Sequence, residues 1–355
     1  MKFWIMTLSS PRGSADIAAR AEQAGWYGMM VVDSQNLSGD SYVSLTMAAT
    51  GSSTLRLGTG VTNSVTRHAA VTAAAIASVN RVSNGRAVLG IGRGDSALAH
   101  LGRSPATLKS FERYVRHLKA YLSGDVVAFD ECGISSDVAP PVDELELADA
   151  PRESGINWLR PDDRVPIEVA STGPKVISIA ARHADRIMLT VGANKERVRW
   201  GMETARQAAQ SAARDPDRLK FGAYVNLICS KDKEAALKLA RGGTSLFARF
   251  SVMHGDVIGP TNDKSRDVLN EIHERYNMNE HGRADGSQTK AVTDEFIDEF
   301  SIVGDPDHCI ERLQALHDLG INTFVINGLG YDTRSPEAKE AASLFEREVL
   351  APLGD

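Results

Sequence analysis

Residues 83–101 read SNGRAVLGIGRGDSALAHL, and the architecture of the chain follows from how that stretch is taken. Arg86 to Ile91 carries Val88, Leu89 and Ile91 unbroken by charge, the composition of a strand covered on both faces, as in a parallel sheet. Gly90, Gly92 and Gly94 then surround Arg93 and lead into Asp95 and Ser96. Small residues let backbone N–H groups approach a ligand and the guanidinium supplies a cation, so the turn is an anion site in outline. On its own the pattern is equally that of a loop with a solvated arginine.

Working outward, the same strand-then-helix alternation recurs on both sides. Upstream, Phe3 to Leu8 is a first strand, Ser14 caps a helix that ends at Gly25 in a left-handed residue, and Tyr27 to Val32 is a second buried strand ending at Asp33. A helix from Ser41, a third strand from Leu55 to Val61 and an alanine-rich helix from Ala69 to Val79 complete the approach. Downstream, Ser104 and Pro105 read as N-cap and first residue of a helix with its apolar stripe at Leu108, Phe111, Tyr114, Val115, Leu118 and Leu122.

Residues 125–164 break the rhythm with acidic residues and prolines, an excursion outside the regular core. Val165 to Ser171, Arg186 to Val191, Leu219 to Cys229 and Thr323 to Ile326 read as the last four strands. Pro174 stands at the first turn of a helix opened by Thr172 and Gly173, and Asp305 with Pro306, then Ser335 with Pro336, start two more. Residues 254–293 are polar and irregular, hold a possible amphipathic helix around Val268 to Tyr276, and read as a mobile lid. Eight strands alternating with helices predict an α/β fold, a (β/α)8 TIM barrel spanning 1–355 as one domain with insertions after strands four and seven. A doubly wound open sheet is the alternative, but no first turn carries the dinucleotide fingerprint.

The chain has 355 residues, 42% hydrophobic and 24% charged, with a net charge of −6. Basic residues are dispersed, so neither a nucleic-acid face nor a membrane surface is expected. No apolar run reaches the length of about 18 to 20 residues that a membrane span needs, and the apolar start lacks a signal-peptide cleavage region, so the expectation is a cytoplasmic enzyme. Cys132, Cys229 and Cys309 lie far apart in sequence without CxxC spacing, which argues against a disulfide framework and a structural zinc site; no metal is expected.

With the strand ends in this order, the chain resembles the bacterial-luciferase-like superfamily of flavin- and deazaflavin-dependent oxidoreductases, and within it methylenetetrahydromethanopterin reductase-type members. LGTGVTN (57–63), VSNGRAVLGIGRGD (82–95) and FSIVGDP (300–306) carry the likeness. The resemblance implies a cofactor bed made by Gly60, Val61, Thr62 and Asn63, with a non-prolyl cis peptide at Gly60–Val61. Arg93, together with Ser171 and Thr172, falls where relatives hold the cofactor phosphate, and the helix N-terminus adds a partial positive charge; Gly92, Gly94, Asp95, Gly173 and Lys175 are the further candidate cofactor-binding residues. Ordinary turn and N-cap roles account for the same residue types.

Relatives place a histidine after the acidic residue at the end of strand two, whereas here Asp33 is followed by Ser34. Proton transfer must therefore come from elsewhere: Asp33 and Ser34 are the candidate catalytic pair, Asp33 being equally a structural acceptor, with His68 and His100 as further candidates. Because an arginine at position 93 is the FMN-type residue, the resemblance leads to reduced FMN from a separate flavin reductase and an O2-using monooxygenase of a small organic substrate. Coenzyme F420 with hydride transfer is the alternative, a non-catalytic flavin binder a third. A homodimer is the default that the family implies.

Overall fold

The computed structural model describes residues 1–160, 163–331 and 335–354. Eight parallel strands form the barrel: β1 Lys2–Thr7, β2 Gly28–Val31, β3 Arg56–Thr59, β4 Ala87–Gly92, β5 Ile167–Ser171, β6 Arg186–Leu189, β7 Phe221–Cys229 and β8 Ile321–Asn327. Trp4 of β1 faces Gly28 of β2 on one side and Val325 of β8 on the other, while Phe221 of β7 faces both Ile187 of β6 and Ile321 of β8. The ring therefore closes with no edge left among the eight, which excludes the open sheet. In β4 all six residues are buried, as its unbroken apolar run requires.

Barrel interiors fill by setting large side chains against small ones. A Cβ on Gly28 would lie 2.3 Å from the Trp4 ring, and one on Gly222 would lie 2.4 Å from Met188 Sδ. Outside, the helix Leu108–Ser123 buries Phe111, Tyr114, Val115, Leu118 and Leu122 and stops at Gly124 with φ +80. Gly25 closes the helix Ser14–Ala24 with φ +90, as its position predicts.

Two local expectations change. The helix expected from Ser104 begins at Leu108, capped by Thr107 Oγ1 on Ser110 N. The cause is tertiary: Ala106 N donates to Arg93 O, and Arg93 Nε donates to Ala106 O at 2.6 Å, which ties this segment to the β4 turn. Ser14 does not cap its helix, since Gly13 is the N-cap and Ser14 Oγ donates back to Ser10 O at 2.6 Å. The cysteines are free, as their spacing implies; Cys229 and Cys309, far apart in sequence, meet as a buried pair in which the contact with Cys229, with burial, pushes the Cys309 thiol upward.

The first insertion leaves the end of Leu108–Ser123, reaches the outer end of the helix Ala69–Val82 where Cys132 O meets His68 Nε2 at 3.0 Å, and returns past Arg81, which pairs with Asp163 at 2.7 Å. It is a strap on the outside of the barrel, almost wholly exposed, with one two-residue hairpin at Val127–Ala128 and Glu153–Ser154; residues 161–162 lie outside the described residues.

The second insertion is larger than expected. The helix Lys233–Arg249 does not return to the bottom of the barrel: its end carries Phe247 and Arg249 to the mouth. The return is made by the helix Pro306–His317, preceded by a short strand Ile302–Gly304 that pairs with the upper end of β7, Leu227–Cys229. Within it lies the expected amphipathic helix, Asp263–Arg275, which starts earlier than Val268 and buries Val268, Leu269 and Ile272, so the segment has a core of its own.

Candidate active site

At the C-terminal ends of the strands lies a cavity of about 770 Å³. Of the fourteen expected site residues, thirteen line it: Asp33, Ser34, Gly60, Val61, Thr62, Asn63, Gly92, Arg93, Gly94, Asp95, Thr172, Gly173 and Lys175. Ser171 does not. Side chains alternate along β5, so Ala170 and Thr172 face the cavity and Ser171 turns away, its Oγ donating to Val169 O at 3.2 Å.

After Thr59 the chain of β3 makes a bulge, and the Gly60–Val61 peptide is cis, as the resemblance implies. Thr62 and Asn63 then resume pairing with Ile91 and Gly92. The bulge fits because β4 is bare behind it: a Cβ on Gly90 would lie 2.1 Å from Thr59 O, and one on Gly92 3.2 Å from the Val61 side chain. Asn63 Oδ1 accepts the backbone N–H groups of Val65 and Thr66, at 3.0 and 2.9 Å, and its buried Nδ2, in the cavity wall, has no partner among the described residues. An orphaned buried donor costs about 1 to 3 kcal/mol unless a ligand atom accepts from it. Beside a backbone bed and a half-buried Arg93 guanidinium, whose pKa burial lowers, this donor set fits the polar edge and phosphate of a flavin or deazaflavin.

Both oxygens of Asp33 are engaged. Thr62 Oγ1 donates to Oδ2 at 2.6 Å and Arg67 bonds the same oxygen at 2.6 Å, with a second contact to Oδ1 at 3.4 Å. Arg67 continues to Asp40 at 2.8 Å and lies over the Tyr42 ring, so the group is a bracing network beneath the bulge. Ser34 Oγ bonds Ser96 Oγ at 2.8 Å. Asp95 is held by Arg249 at 2.5 Å through both oxygens, and Thr172 Oγ1 bonds Thr190 Oγ1.

The two sequence-named histidines lie elsewhere. His68 caps its helix through Nδ1 on Ala70 N at 3.2 Å and meets Cys132 O through Nε2, and His100 is not in the cavity wall.

What sequence reasoning missed comes from the upper insertion. Phe247, Phe250, His254, Ile258 and His281 close the side of the cavity opposite the bulge, with Tyr224 of β7 stacked on Phe247 at 6.2 Å. Arg197 pins this wall. Its guanidinium donates to Val191 O, Pro260 O, Ile258 O and Ser251 Oγ at 2.7 to 2.9 Å, and burial brings its pKa down to about 10 against the pull of Glu299. The i, i+3 spacing of Phe247 and Phe250 was the available signal, but it reads the same for any amphipathic helix end. Below the cavity Glu168 is fully buried and paired with Arg186; burial raises its pKa, and among the described residues its Oε2 and the Tyr224 hydroxyl have no partner.

A family profile described as luciferase-like monooxygenase matches residues 4–323, from β1 to β8. The chain belongs to the bacterial luciferase-like family. Among its luciferase-like relatives, the 5,10-methylenetetrahydromethanopterin reductase of Methanolobus tindarius is 28% identical, over 95% of this chain and 95% of that protein. The F420-dependent glucose-6-phosphate dehydrogenase of Amycolatopsis mediterranei is 26% identical over 97% of this chain and 95% of its own length. The solved structure of the coenzyme F420 dependent tetrahydromethanopterin reductase from Methanopyrus kandleri superposes with a TM-score of 0.72 at 22% identity, covering 99% of both chains. The protein is thus a luciferase-like oxidoreductase. Among the described residues no helix is long and apolar enough to cross a membrane, and no group of His, Cys, Asp or Glu could hold a metal ion.

Proposed function

We propose that the protein is a coenzyme F420-dependent oxidoreductase that moves hydride between the deazaflavin and a small organic substrate in the barrel mouth. The observation that carries this reading is the end-to-end likeness to reductases and dehydrogenases, of which the Amycolatopsis enzyme is named for F420. Reduced FMN with O2 was the first expectation, drawn from Arg93. That argument is weaker than the likeness, because a guanidinium bonds the oxygens of a phosphate diester as well as those of a monoester.

Bound there, the deazaflavin supplies a two-electron hydride donor or acceptor. The chain does the rest. Val61 and the bulge would carry the ring system, Asn63 Nδ2 would donate to its polar edge, and Arg93 with Lys175 at the helix N-terminus would offset the phosphate charge. Phe247, Phe250 and Trp200 exclude water from the reacting face.

The monooxygenase reading stays as the second, favoured by Arg93 and by the description of the family; the separate flavin reductase belongs to it alone. Anaerobic titration of the purified protein with F420 and, separately, with reduced FMN decides between them. Tighter binding of F420 is expected, and oxygen-dependent product carrying an atom from labelled O2 would overturn the proposal.

We also propose that two copies pair. Val43 and Met47 on the helix Ser41–Gly51 and Val71 on its neighbour Ala69–Val82 are exposed apolar side chains on one flank, with Leu37 and Val65 in the loops beside them.

A further inference from the structure

We infer that His281 is the base that takes and returns the substrate proton, in the role that Ser34 leaves without an imidazole. The inference rests on the hydride-transfer reading above. His281 lines the cavity from the upper insertion, just beyond the turn Met278–Glu280. Its Nδ1 lies 2.8 Å from the Tyr276 hydroxyl, and among the described residues nothing bonds its Nε2. A histidine held through one ring nitrogen, with the other open to a ligand cavity, is the arrangement that general-base chemistry needs. His254 lines the same cavity, but no hydrogen bond holds its ring among the described residues.

The holding group is itself built in. The Arg249 guanidinium lies 4.5 Å over the Tyr276 ring and is anchored by both oxygens of Asp95, so a chain of contacts runs from the β4 turn to the imidazole. Four groups act on His281: Tyr276 from the end of the helix Asp263–Arg275, Asp95 from the β4 turn, Arg249 from the helix Lys233–Arg249, and His100 from the short helix after β4. Burial lowers the His281 pKa, Asp95 opposes it, and Arg249 and His100 add to it; the net shift is downward. Burial also pushes Tyr276 upward, so its hydroxyl keeps its proton; the proposed tautomer is Nδ1–H, in which Nδ1 donates to the Tyr276 oxygen. The Nε2 lone pair then faces the cavity.

In the oxidising direction the substrate X–H bond breaks and its proton goes to Nε2, while the X–H electron pair forms the C=X bond. The C–H bond breaks with its pair, as hydride, to oxidised F420. Reduction runs the same steps backwards, with the imidazolium returning the proton to X.

The test has a ligand-free arm and a turnover arm. Long-range 1H–15N correlation spectra of the ligand-free protein, assigned with His281→Gln, should show His281 protonated at Nδ1 and titrating below the usual histidine value of about 6.5. Tyr276→Phe should shift it to the other tautomer. In the turnover arm, oxidised F420 with a panel of small alcohols is followed by loss of deazaflavin absorbance. His281→Gln should lower kcat about 100-fold with F420 affinity unchanged and remove the acidic limb of the pH profile, and that limb should persist in His254→Gln. An Nε2–H tautomer, or an acidic limb lost with His254 instead, overturns the inference. If F420 does not bind, the function proposal fails by itself, and the ligand-free spectra still decide the state of His281.

Discussion

At the scale of single residues, the cavity wall was legible because its parts are contiguous: LGTGVTN and GIGRGD each bring backbone and side chain to one strand end. The group proposed to move the proton was not legible, because Asp95, Arg249, Tyr276 and His281 come from four elements and no local pattern joins them. Arg93→Ala should weaken F420 binding by about 1.5 to 3 kcal/mol, the scale of a charge-assisted hydrogen bond, and leave binding of the tail-less deazaflavin nearly unchanged. Equal losses for both in a fluorescence titration would place Arg93 away from the phosphate. A second residue tests stability. On Glu22 burial works upward, but hydrogen bonds from Thr54, Leu55 and Ser53 outweigh it and bring the pKa down to about 2. A carboxylate depressed in the folded state contributes stability above its unfolded pKa of about 4.3, and the contribution is lost as pH falls through the folded value. Glu22→Gln should therefore melt below the wild type at pH 7 and with it near pH 2; a constant difference at both would disprove the linkage.

At the scale of elements, period and caps located every barrel strand to within a few residues, since buried strands and N1 prolines leave strong local marks. Local signals failed where long-range bonds took over. Ser104 and Pro105 make a good helix start, yet the bonds between Arg93 and Ala106 hold the chain extended until Leu108. Over 254–293 polarity hid only how far the order extends: the amphipathic helix was legible around Val268 to Tyr276, but its first turn from Asp263 was not, because a helix with one buried stripe is polar in composition. The consequence is measurable. Brief digestion of the native protein with a broad-specificity protease should cut first within 133–149, where nearly every residue is exposed, and only later in the upper insertion, pinned by Arg197 and by buried Val268, Leu269 and Ile272. First cuts inside 254–293 in the absence of cofactor would mean that the segment opens as a lid.

At the scale of the whole molecule, alternation made a parallel sheet readable and eight units with no dinucleotide fingerprint favoured closure, while the pairing of the first and last strands, which alternation leaves open, decides it. Association was not readable, since single exposed apolar residues are common on any surface. Light scattering should give a mass near twice the 38.3 kDa of the chain, and Val43→Asp combined with Val71→Asp should halve it; a wild-type monomer would remove the pairing proposal. The outer strap has a different consequence. Residues 125–164 hold eleven acidic and three basic residues, a net −8, so the other 315 residues carry +2 between them. Arg93 and Lys175 stand in the cavity wall, while the acidic strap runs along the outside of the helices. The molecule is thereby an electrostatic guide: an anionic ligand is repelled along the flank and drawn toward the mouth. Its association rate constant should fall as salt shortens the Debye length from about 30 Å at 0.01 M to about 8 Å at 0.15 M, while its dissociation rate changes far less.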